Sequence, residues 1–396
     1  MSADRVPALR DASALPEPWR WLAERVVRFS AGQAAEAGQR PPPAELFADG
    51  MIEQLRGQRL LALLPQLLPA ALLPRDWKAH VRGERLAISA RQLRLERRAR
   101  ELAELAERQG RIKLLFIKGL PLSAHYYAAG YQRSTNDVDV VVEAEALPAL
   151  LKMLDAEGWG TIYAVPSRDW GEERAGGAKH LEDRAAPGDA GCVVEIHAGQ
   201  YVTYAGWDWG EVWKPGRAFL LPWPEMGRTA FRMCPELEFL LTPLHALSDG
   251  LLYPFQALSD AGHLGRHVNR PRLLEAAQAT RTRGLAAVQA RLWGTLAREG
   301  EWTEWASTVW GQAGRSERRL GRYYAKYFWC GLPGQPRPPR LALDLTQVLA
   351  AGLFVPVRVA ERVLGMGRDE PGFQRRRLGH LLRRWRKFWG AGRRNK

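Results

Sequence analysis

The chain of 396 residues is long enough for two or three structural units with a sizeable apolar core. Its hydrophobic share of 46% and charged share of 26% are those of an ordinary globular protein and exclude a fibrous or low-complexity chain. The three cysteines have no Cys-x-x-Cys spacing, so neither a zinc ribbon nor a disulfide framework is indicated. We therefore expect a protein of a reducing, cytoplasmic compartment.

The formal charge of +15 is typical of a protein that binds nucleic acid or lipid, but it is unevenly distributed. Residues 372–396 contain ten Arg or Lys residues and no acidic residue, which leaves +5 for the rest of the chain. This basic tail, with its tryptophans, is a candidate peripheral contact for anionic lipid, nucleic acid or an acidic partner. Packing of the tail on the protein's own body is the alternative.

The sequence gives no indication of a secretory signal, because the N-terminus lacks a continuous apolar stretch. No run of eighteen apolar residues occurs either, and we expect no transmembrane span. These features favour a cytoplasmic protein, with peripheral membrane contact through the basic tail as an alternative.

Helical patterning dominates the N-terminal part of the chain. One short helix is predicted at Pro18–Phe29, and leucines at roughly helical spacing follow from Pro43 onward. A long amphipathic helix is predicted at Trp77–Gln109, where opposite charges recur three or four residues apart. Gly110 is placed to end this helix. We interpret it as a scaffold helix with a solvated charged face.

A strand, a turn and a helix form the next unit. A buried strand is predicted at residues 112–117, followed by a turn at Lys118 and Gly119 and a helix at Pro121–Ala129. Glycine allows close backbone approach, and the helix N-terminus offers unpaired N–H groups to an anion. A triphosphate is the expected occupant, although a strand-to-helix junction alone can also require glycine.

Two aspartates lie in the next predicted strand. Asp137 and Asp139 are separated by one residue, so their side chains project from the same face of the strand. Two neighbouring carboxylates repel each other and raise each other's pKa unless a cation lies between them. The pattern therefore indicates a divalent metal, Mg²⁺ in the first place, bound by oxygen ligands.

A third strand carries another acidic residue. After a helix at Ala144–Ala156, residues 166–191 are predicted to be an insertion or hairpin. Residues 192–197 then form a strand on which Glu195 and His197 share a face.

Four elements occur in a fixed order along the chain: a Lys-Gly turn, an arginine, an Asp-hydrophobic-Asp strand and an acidic-x-His strand. They are Lys118-Gly119, Arg133, Asp137-Val138-Asp139 and Glu195-Ile196-His197. In these residues the chain resembles the DNA polymerase beta-like nucleotidyltransferase superfamily, and more narrowly a bacterial nucleotidyltransferase family of unassigned substrate. The resemblance extends over roughly residues 45–330. Two departures are Leu120, where a second small residue is usual, and a long gap between the glycine and the aspartates.

The resemblance implies an α+β fold, with a small mixed nucleotidyltransferase sheet flanked by helices and with N-terminal and C-terminal helical regions. It implies a catalytic and metal-binding set of three carboxylates, in which Glu195 is the general base: Asp137, Asp139 and Glu195. The expected nucleotide- and phosphate-binding residues are Lys118, Gly119, Arg133, Ser134 and His197. For Arg133 an exposed loop cation is the alternative, and for His197 a polar residue without a catalytic role.

The expected domains are an N-terminal helical region at 1–110, a nucleotidyltransferase core at 111–230, a C-terminal helical domain at 231–331, and a final segment at 332–396. This final segment comprises a proline-rich joint, an apolar stretch and the basic tail. The aromatic stretch at 201–224 is interpreted as packing, with stacking of a base or sugar as the alternative.

The implied activity is transfer of a nucleoside monophosphate, AMP from ATP in the first place, to a hydroxyl of a small-molecule, sugar, peptide or protein acceptor. Mg²⁺ is the expected metal, with Mn²⁺ as an alternative, and ATP or another nucleoside triphosphate is the expected substrate. Two alternatives remain: a catalytically inactive nucleotide- or peptide-binding module of the same fold, and an accessory protein that acts through its basic tail on membrane or nucleic acid.

Overall fold

The computed structural model describes residues 6–7, 15–33, 41–108, 112–164, 182–189, 191–198, 200–202, 207–214, 216, 218–248, 252–297 and 299–332. The predicted helix end at Gly110, most of the insertion at 166–191 and the chain after residue 332 lie outside these residues.

Four α-helices precede the sheet in the part of the chain that the structure describes. They are α1 (Glu17–Ser30), α2 (Met51–Gly57), α3 (Leu64–Leu67) and α4 (Arg75–Arg108). The two helices predicted from the pattern, α1 and α4, are confirmed. Arg97 and Glu101 form an ion pair of 2.9 Å one turn apart on α4, as the charge spacing predicted.

The chain then forms a mixed seven-stranded sheet. Its strands are β1 (Leu114–Ile117), β2 (Asp137–Val141), β3 (Gly160–Ala164), β4 (Glu182–Ala185), β5 (Val193–His197), β8 (Leu220–Pro222) and β9 (Ala230–Met233), in the order β3-β4-β5-β2-β1-β9-β8. A separate two-stranded ribbon pairs β6 (Gln200–Val202) with β7 (Trp207–Asp208). The strands β2 and β5 run parallel and β1 and β2 antiparallel. The predicted α+β class is confirmed.

Helices lie between and after the strands. They are α5 (Gly119–Tyr126), α6 (Leu147–Ala156), α7 (Trp209–Trp213), α8 (Pro235–Ser248), α9 (Pro254–Gly265), α10 (Arg270–Ala279), α11 (Arg283–Ala297), α12 (Gly300–Gln312) and α13 (Arg315–Tyr327). The helical pattern predicted between Pro235 and Tyr327 is thus confirmed. Among the described residues, no helix combines the length and the apolar character needed to cross a bilayer.

Alternation along β1 and β2 divides the apolar side chains between two cores. Phe116 and Val140 pack with Leu102 of α4 and Leu150 of α6 in one core. Residues of the opposite face, such as Ile117, pack with the C-terminal helices in the other. Since side chains alternate along a strand, the side chain of Asp139 lies on the other face of β2 from Val140, and this face is directed toward the C-terminal helices. The fold therefore places the acidic residues between sheet and helices.

Two helices differ at their ends from the prediction. Helix α5 begins at Gly119 rather than Pro121, because proline is tolerated in a first turn whose N–H groups have no intrahelical acceptor. It ends at Tyr126, where Tyr127 takes an extended conformation. Helix α6 begins at Leu147, three residues later than predicted, with Pro148 in its first turn.

Candidate active site

The strand register brings two of the predicted carboxylates together. In the parallel pair β2–β5, Asp139 lies beside Glu195 and Asp137 lies beside Val193. Asp137 and Asp139 project from the same face of β2, as predicted. Asp139 is buried, whereas Asp137 and Glu195 keep partial access to solvent. Carboxylates from two neighbouring strands thus meet on one face of the sheet.

A cluster of possible metal ligands forms at this point. One carboxylate oxygen of Asp139, one of Glu195 and one ring nitrogen of His197 all lie within 4.8 Å of one another. Carboxylate oxygens suit Mg²⁺ or Mn²⁺, and an imidazole nitrogen suits a transition metal. The donor set therefore fits a divalent cation. Asp137 is not part of this three-residue cluster but lines the adjoining cavity with Asp139.

The side chain of Lys118 reaches the same cluster. This side chain is 3% exposed, its ammonium group forms an ion pair and hydrogen bond with Asp139, and Nζ lies 3.9 Å from Oε2 of Glu195. The lysine thus supplies positive charge between the two carboxylates. Its backbone has a φ of 58°, a value that costs a residue other than glycine of order 1–3 kcal/mol. Such strain persists where the surrounding structure imposes it.

His197 contacts Asp139 as well. Its Nε2 lies 3.0 Å from Oδ1 of Asp139, and the ring is buried. Burial would raise the pKa of Asp139, but the charge of Lys118 and the hydrogen bond from His197 outweigh it and hold this pKa well below its usual value. Burial and the nearby Lys118 lower the pKa of His197. A neutral imidazole whose Nε2–H donates to Asp139 fits both shifts, and it orients that carboxylate.

A cavity lined mainly by polar residues adjoins the cluster, and we call it the polar cavity. Its empty volume, which includes open solvent, is about 400 Å³. It is lined by Arg59, Lys118, Gly119, Arg133, Ser134, Thr135, Asn136, Asp137, Asp139, His245 and Gln256. All the predicted site residues except Glu195 and His197 therefore line one space. Three cationic residues and two hydroxyl-bearing residues, Ser134 and Thr135, in one cavity suit a polyanion.

Gly119 is required at this cavity for steric reasons. A Cβ added at this position would lie 2.5 Å from both Oγ1 and Cγ2 of Thr135. Real side chains do not approach so closely, so any residue larger than glycine displaces Thr135. The sequence pattern predicted this close approach in general form, but it gave no indication that the neighbour is Thr135.

Arg133 is engaged by protein groups, in contrast to the exposed loop cation considered as an alternative. Its Nε and Nη2 donate to Oδ1 and Oδ2 of Asp260 at 2.8 and 3.0 Å, and Nη1 donates to Oγ1 of Thr135 at 2.8 Å. The hydroxyl of Tyr127 also donates to Oδ1 of Asp260, at 2.6 Å. This buried arrangement clamps the loop before β2 to helix α9. Its partner Asp260 was missed, although a lone acid within an apolar helical run is a usable indication.

Arg59 is a second cation that the sequence reasoning missed. Its Nη1 donates to Oε1 of Gln256 at 2.8 Å and to the carbonyl of Ser134 at 3.3 Å. Its guanidinium carbon lies 3.8 Å from the ring centroid of Tyr253. Burial lowers the pKa of Arg59. No local pattern around Arg59 distinguishes it from the many arginines of α4, so it could be found only from the fold.

A second cavity, lined in part by apolar side chains, adjoins the polar one, and we call it the apolar cavity. Its empty volume is about 460 Å³, again including open solvent. It shares five residues with the polar cavity: Arg59, Lys118, Arg133, His245 and Gln256. Its remaining lining is Leu122, Glu238, Leu241, Thr242, Ala246, Tyr253, Ala257 and Asp260. The C-terminal helices α8 and α9 build most of this wall.

The aromatic residues predicted to pack do so where the structure describes them. Trp207, Trp209 and Trp223 are 0–4% exposed, and the rings of Trp207 and Trp209 lie 5.6 Å apart. None of them lines the two cavities among the residues described. Stacking of a base or sugar on these three rings is therefore not indicated.

A comparison with known families gives one match. The profile of a family described as uncharacterised nucleotidyltransferases matches residues 48–293, which is more than half of the chain. The matched range contains all the residues that line the two cavities and the metal-ligand cluster. Searches of curated proteins and of solved structures returned no match.

Proposed function

Since the chain belongs to this family of nucleotidyltransferases, enzymes that transfer phosphorus-containing groups, we propose that it moves a nucleoside monophosphate from a triphosphate to a hydroxyl acceptor, with pyrophosphate as the second product. ATP is the proposed donor, and AMP is the group that is transferred. The observation that carries the proposal is the meeting of Asp139, Glu195 and His197 beside a cavity lined by three cations.

Asp137, Asp139 and Glu195 are the proposed metal-binding residues, with Mg²⁺ or Mn²⁺ as the metal. Divalent cations in such sites neutralise phosphate charge and activate the attacking oxygen. The oxygen ligands of the two strands suit this role, and Asp137 lies two residues before Asp139 on the same strand face. His197 keeps Asp139 oriented through its hydrogen bond.

The phosphates are proposed to lie in the polar cavity. Lys118 and Arg59 supply positive charge, Gly119 leaves room for close approach, and Ser134 lines the same wall. For Arg133 we propose a positioning role, because its guanidinium is held by Asp260 and Thr135. It fixes the loop whose residues line the phosphate site.

Glu195 is the proposed general base for the acceptor hydroxyl. Its side chain is 14% exposed, more than the side chains of Asp139 and His197. We therefore assign the contact with the acceptor to Glu195 rather than to the more deeply buried members of the cluster. Deprotonation of the hydroxyl as it attacks the α-phosphorus is the proton transfer that this position supports.

The test is substitution of the central carboxylate. Asp139→Ala should lower nucleotide-dependent pyrophosphate release by about a thousandfold, since a metal-binding carboxylate supports several kcal/mol of charge stabilisation. The measurement uses the four nucleoside triphosphates with Mg²⁺ and candidate acceptors, including the protein itself. Glu304→Gln, which changes an exposed acid on α12, is the control and should retain activity.

One observation favours the non-catalytic binding module as a second candidate. Lys118 already neutralises Asp139 within the cluster, which a protein that binds a nucleotide without turnover can retain. In that case ATP binding persists without Mg²⁺ and survives Asp139→Ala, and no pyrophosphate appears. Absence of pyrophosphate release with all four triphosphates and every acceptor would contradict the enzymatic proposal.

A further inference from the structure

The carboxyl group of Glu238 is a buried polar group that the proposed phosphate and metal sites do not use. The residue lies in helix α8, is 1% exposed and lines the apolar cavity. Neither side-chain oxygen has a partner of good hydrogen-bond geometry in the described part of the chain, and the backbone N–H of Lys118 is the one main-chain donor near enough to act on its pKa. Such a group costs free energy in the folded state, so its presence calls for an explanation.

The charges of Arg133 and Arg232 offset this burial only in part. The guanidinium of Arg133 is committed to Asp260 and Thr135. The hydroxyl of Thr242 donates to the backbone carbonyl of Glu238 at 3.0 Å rather than to the carboxyl group. The carboxyl therefore keeps unused hydrogen-bonding capacity at a position that lines the apolar cavity.

The position of Glu238 relative to the cluster suits one end of a nucleotide. The backbone N–H of Lys118 is close enough to the Glu238 carboxyl to lower its pKa, and the side chain of the same lysine forms an ion pair with Asp139. One lysine side chain thus separates the buried carboxyl from the metal-ligand cluster. The two cavities adjoin each other and share five lining residues. A ligand with phosphates at one end and an uncharged ring at the other fits both.

We propose that the apolar cavity is the nucleobase subsite and that Glu238 recognises the base edge, its carboxyl group donating to N1 of adenine and accepting from the N6 amino group. The proposal rests on the proposed nucleotidyl transfer and adds to it the residue that reads the base. The apolar walls formed by Leu122, Leu241 and Ala257 would exclude water from the two hydrogen bonds.

The protonation state supports adenine over guanine. Burial, reinforced by the charge of Asp260, raises the pKa of Glu238 well above its usual value, although Arg133 and Arg232 oppose the rise. A neutral carboxyl offers a donor beside an acceptor, which matches N1 and the amino group of adenine. An ionised carboxylate offers acceptors alone and would match the two adjacent donors of guanine.

The experiment measures binding to the full chain by calorimetry, with Mg²⁺ present and without an acceptor. The ligands are α,β-methylene-ATP, its GTP counterpart, purine riboside triphosphate, which lacks the amino group, and inorganic tripolyphosphate. The ATP analogue should bind about tenfold or more tightly than tripolyphosphate and than the analogue without the amino group, as expected for a bidentate contact to a base edge.

Two substitutions test whether the Glu238 carboxyl contacts the base. Glu238→Ala should reduce affinity for the ATP analogue to that for purine riboside triphosphate, while leaving tripolyphosphate binding unchanged. Glu238→Gln keeps a donor beside an acceptor and should retain most of the preference. Glu236→Gln is the matched control, because this buried acid of the same helix accepts from the backbone N–H of Asn269 and does not line the cavity. Its affinities should equal those of the wild type.

The outcomes separate this inference from the proposed function. If tripolyphosphate and the ATP analogue both fail to bind, the nucleotidyltransferase proposal itself is contradicted. Equal binding of the two by the wild type would overturn the base subsite and leave the phosphate site standing. A preference for the GTP analogue, or a preference for ATP that Glu238→Ala leaves intact, would overturn the role of Glu238.

Discussion

Protonation of Glu238 couples the stability of the fold to pH. Burial and the Asp260 carboxylate raise the pKa of Glu238 in the folded state well above its usual value of 4.5, against opposing contributions from Arg133, Arg232 and the backbone N–H of Lys118. Between these two pKa values the folded chain keeps a proton that the unfolded chain has released. The free energy of unfolding therefore falls as pH rises above about 4.5, by at most about 1.4 kcal/mol per pH unit.

Glu238→Gln removes this titration. The free energy of unfolding of the variant, minus that of the wild type, should increase between pH 5 and pH 8, because only the wild type must take up a proton on folding and that uptake costs more as pH rises. Urea denaturation at several pH values measures the difference, and Glu236→Gln provides the comparison for another buried acid of the same helix. A difference that is independent of pH, or that falls as pH rises, would contradict the assignment of a neutral Glu238.

The two acids at this site differ in how far the sequence could reveal them. Asp139 stands in an alternating strand pattern with Asp137, and that spacing is enough to place both on one face. Glu238 follows Glu236 in the first turn of a helix, where an acid is common because it interacts favourably with the helix dipole. Its burial against Lys118 and Arg133 depends on the packing of α8 on the sheet, which no local pattern encodes.

At the scale of elements, the ion pair between Arg133 and Asp260 joins the loop before β2 to helix α9. Both side chains are 3–6% exposed and the contact is bidentate. Removal of one partner leaves a buried charge, and we expect Arg133→Met or Asp260→Leu each to lower the free energy of unfolding by about 3–5 kcal/mol. The double variant should cost clearly less than the sum, because it leaves neither charge behind.

Urea denaturation of the four proteins gives the coupling energy of this cycle. The same cycle on Arg97 and Glu101, an ion pair on α4 whose arginine is 76% exposed, is the control and should give about 0.5 kcal/mol or less. If the changes in the free energy of unfolding for Arg133→Met and Asp260→Leu simply add, the two side chains do not stabilise the fold as a pair.

The sequence was informative about elements whose pattern is strong and local. The bounds of α4, β1 and β5 were predicted to within a few residues from charge spacing and apolar runs. The parallel register of β2 and β5 does not follow from these local patterns. The seven-stranded order and the pairing of Asp139 with Glu195 are long-range contacts, and they are set by how helices and strands pack together. The family resemblance supplied the expectation that these acids meet.

At the scale of the whole molecule, one apolar core connects regions that the predicted domain division separates. It contains Leu22 of α1, Ile117 of the sheet and Trp310 of α12. The division at residues 110, 230 and 331 remains a proposal about sequence regions. The site likewise draws on all three regions, with Arg59 before the sheet, Asp139 within it and Glu238 after it. Such a site is expected to form only when the regions pack together.

The basic tail carries most of the net charge of the molecule but none of the cations of the polar cavity. Residues 372–396 carry ten of the positive charges in a chain of formal charge +15, and they lie outside the described residues. The cations that line the polar cavity are Arg59, Lys118 and Arg133, and all of them remain when this tail is deleted. Charges separated by more than a Debye length of about 8 Å at physiological ionic strength are largely screened.

We therefore expect a chain truncated after residue 371 to bind the ATP analogue with Mg²⁺ within about twofold of the full chain at physiological ionic strength. At low ionic strength the full chain should bind the anionic nucleotide faster, because the added positive charge attracts it from a longer distance. Stopped-flow binding at two salt concentrations measures both effects. Loss of nucleotide binding at physiological ionic strength would favour the alternative in which the tail, rather than the cavity between sheet and helices, determines function.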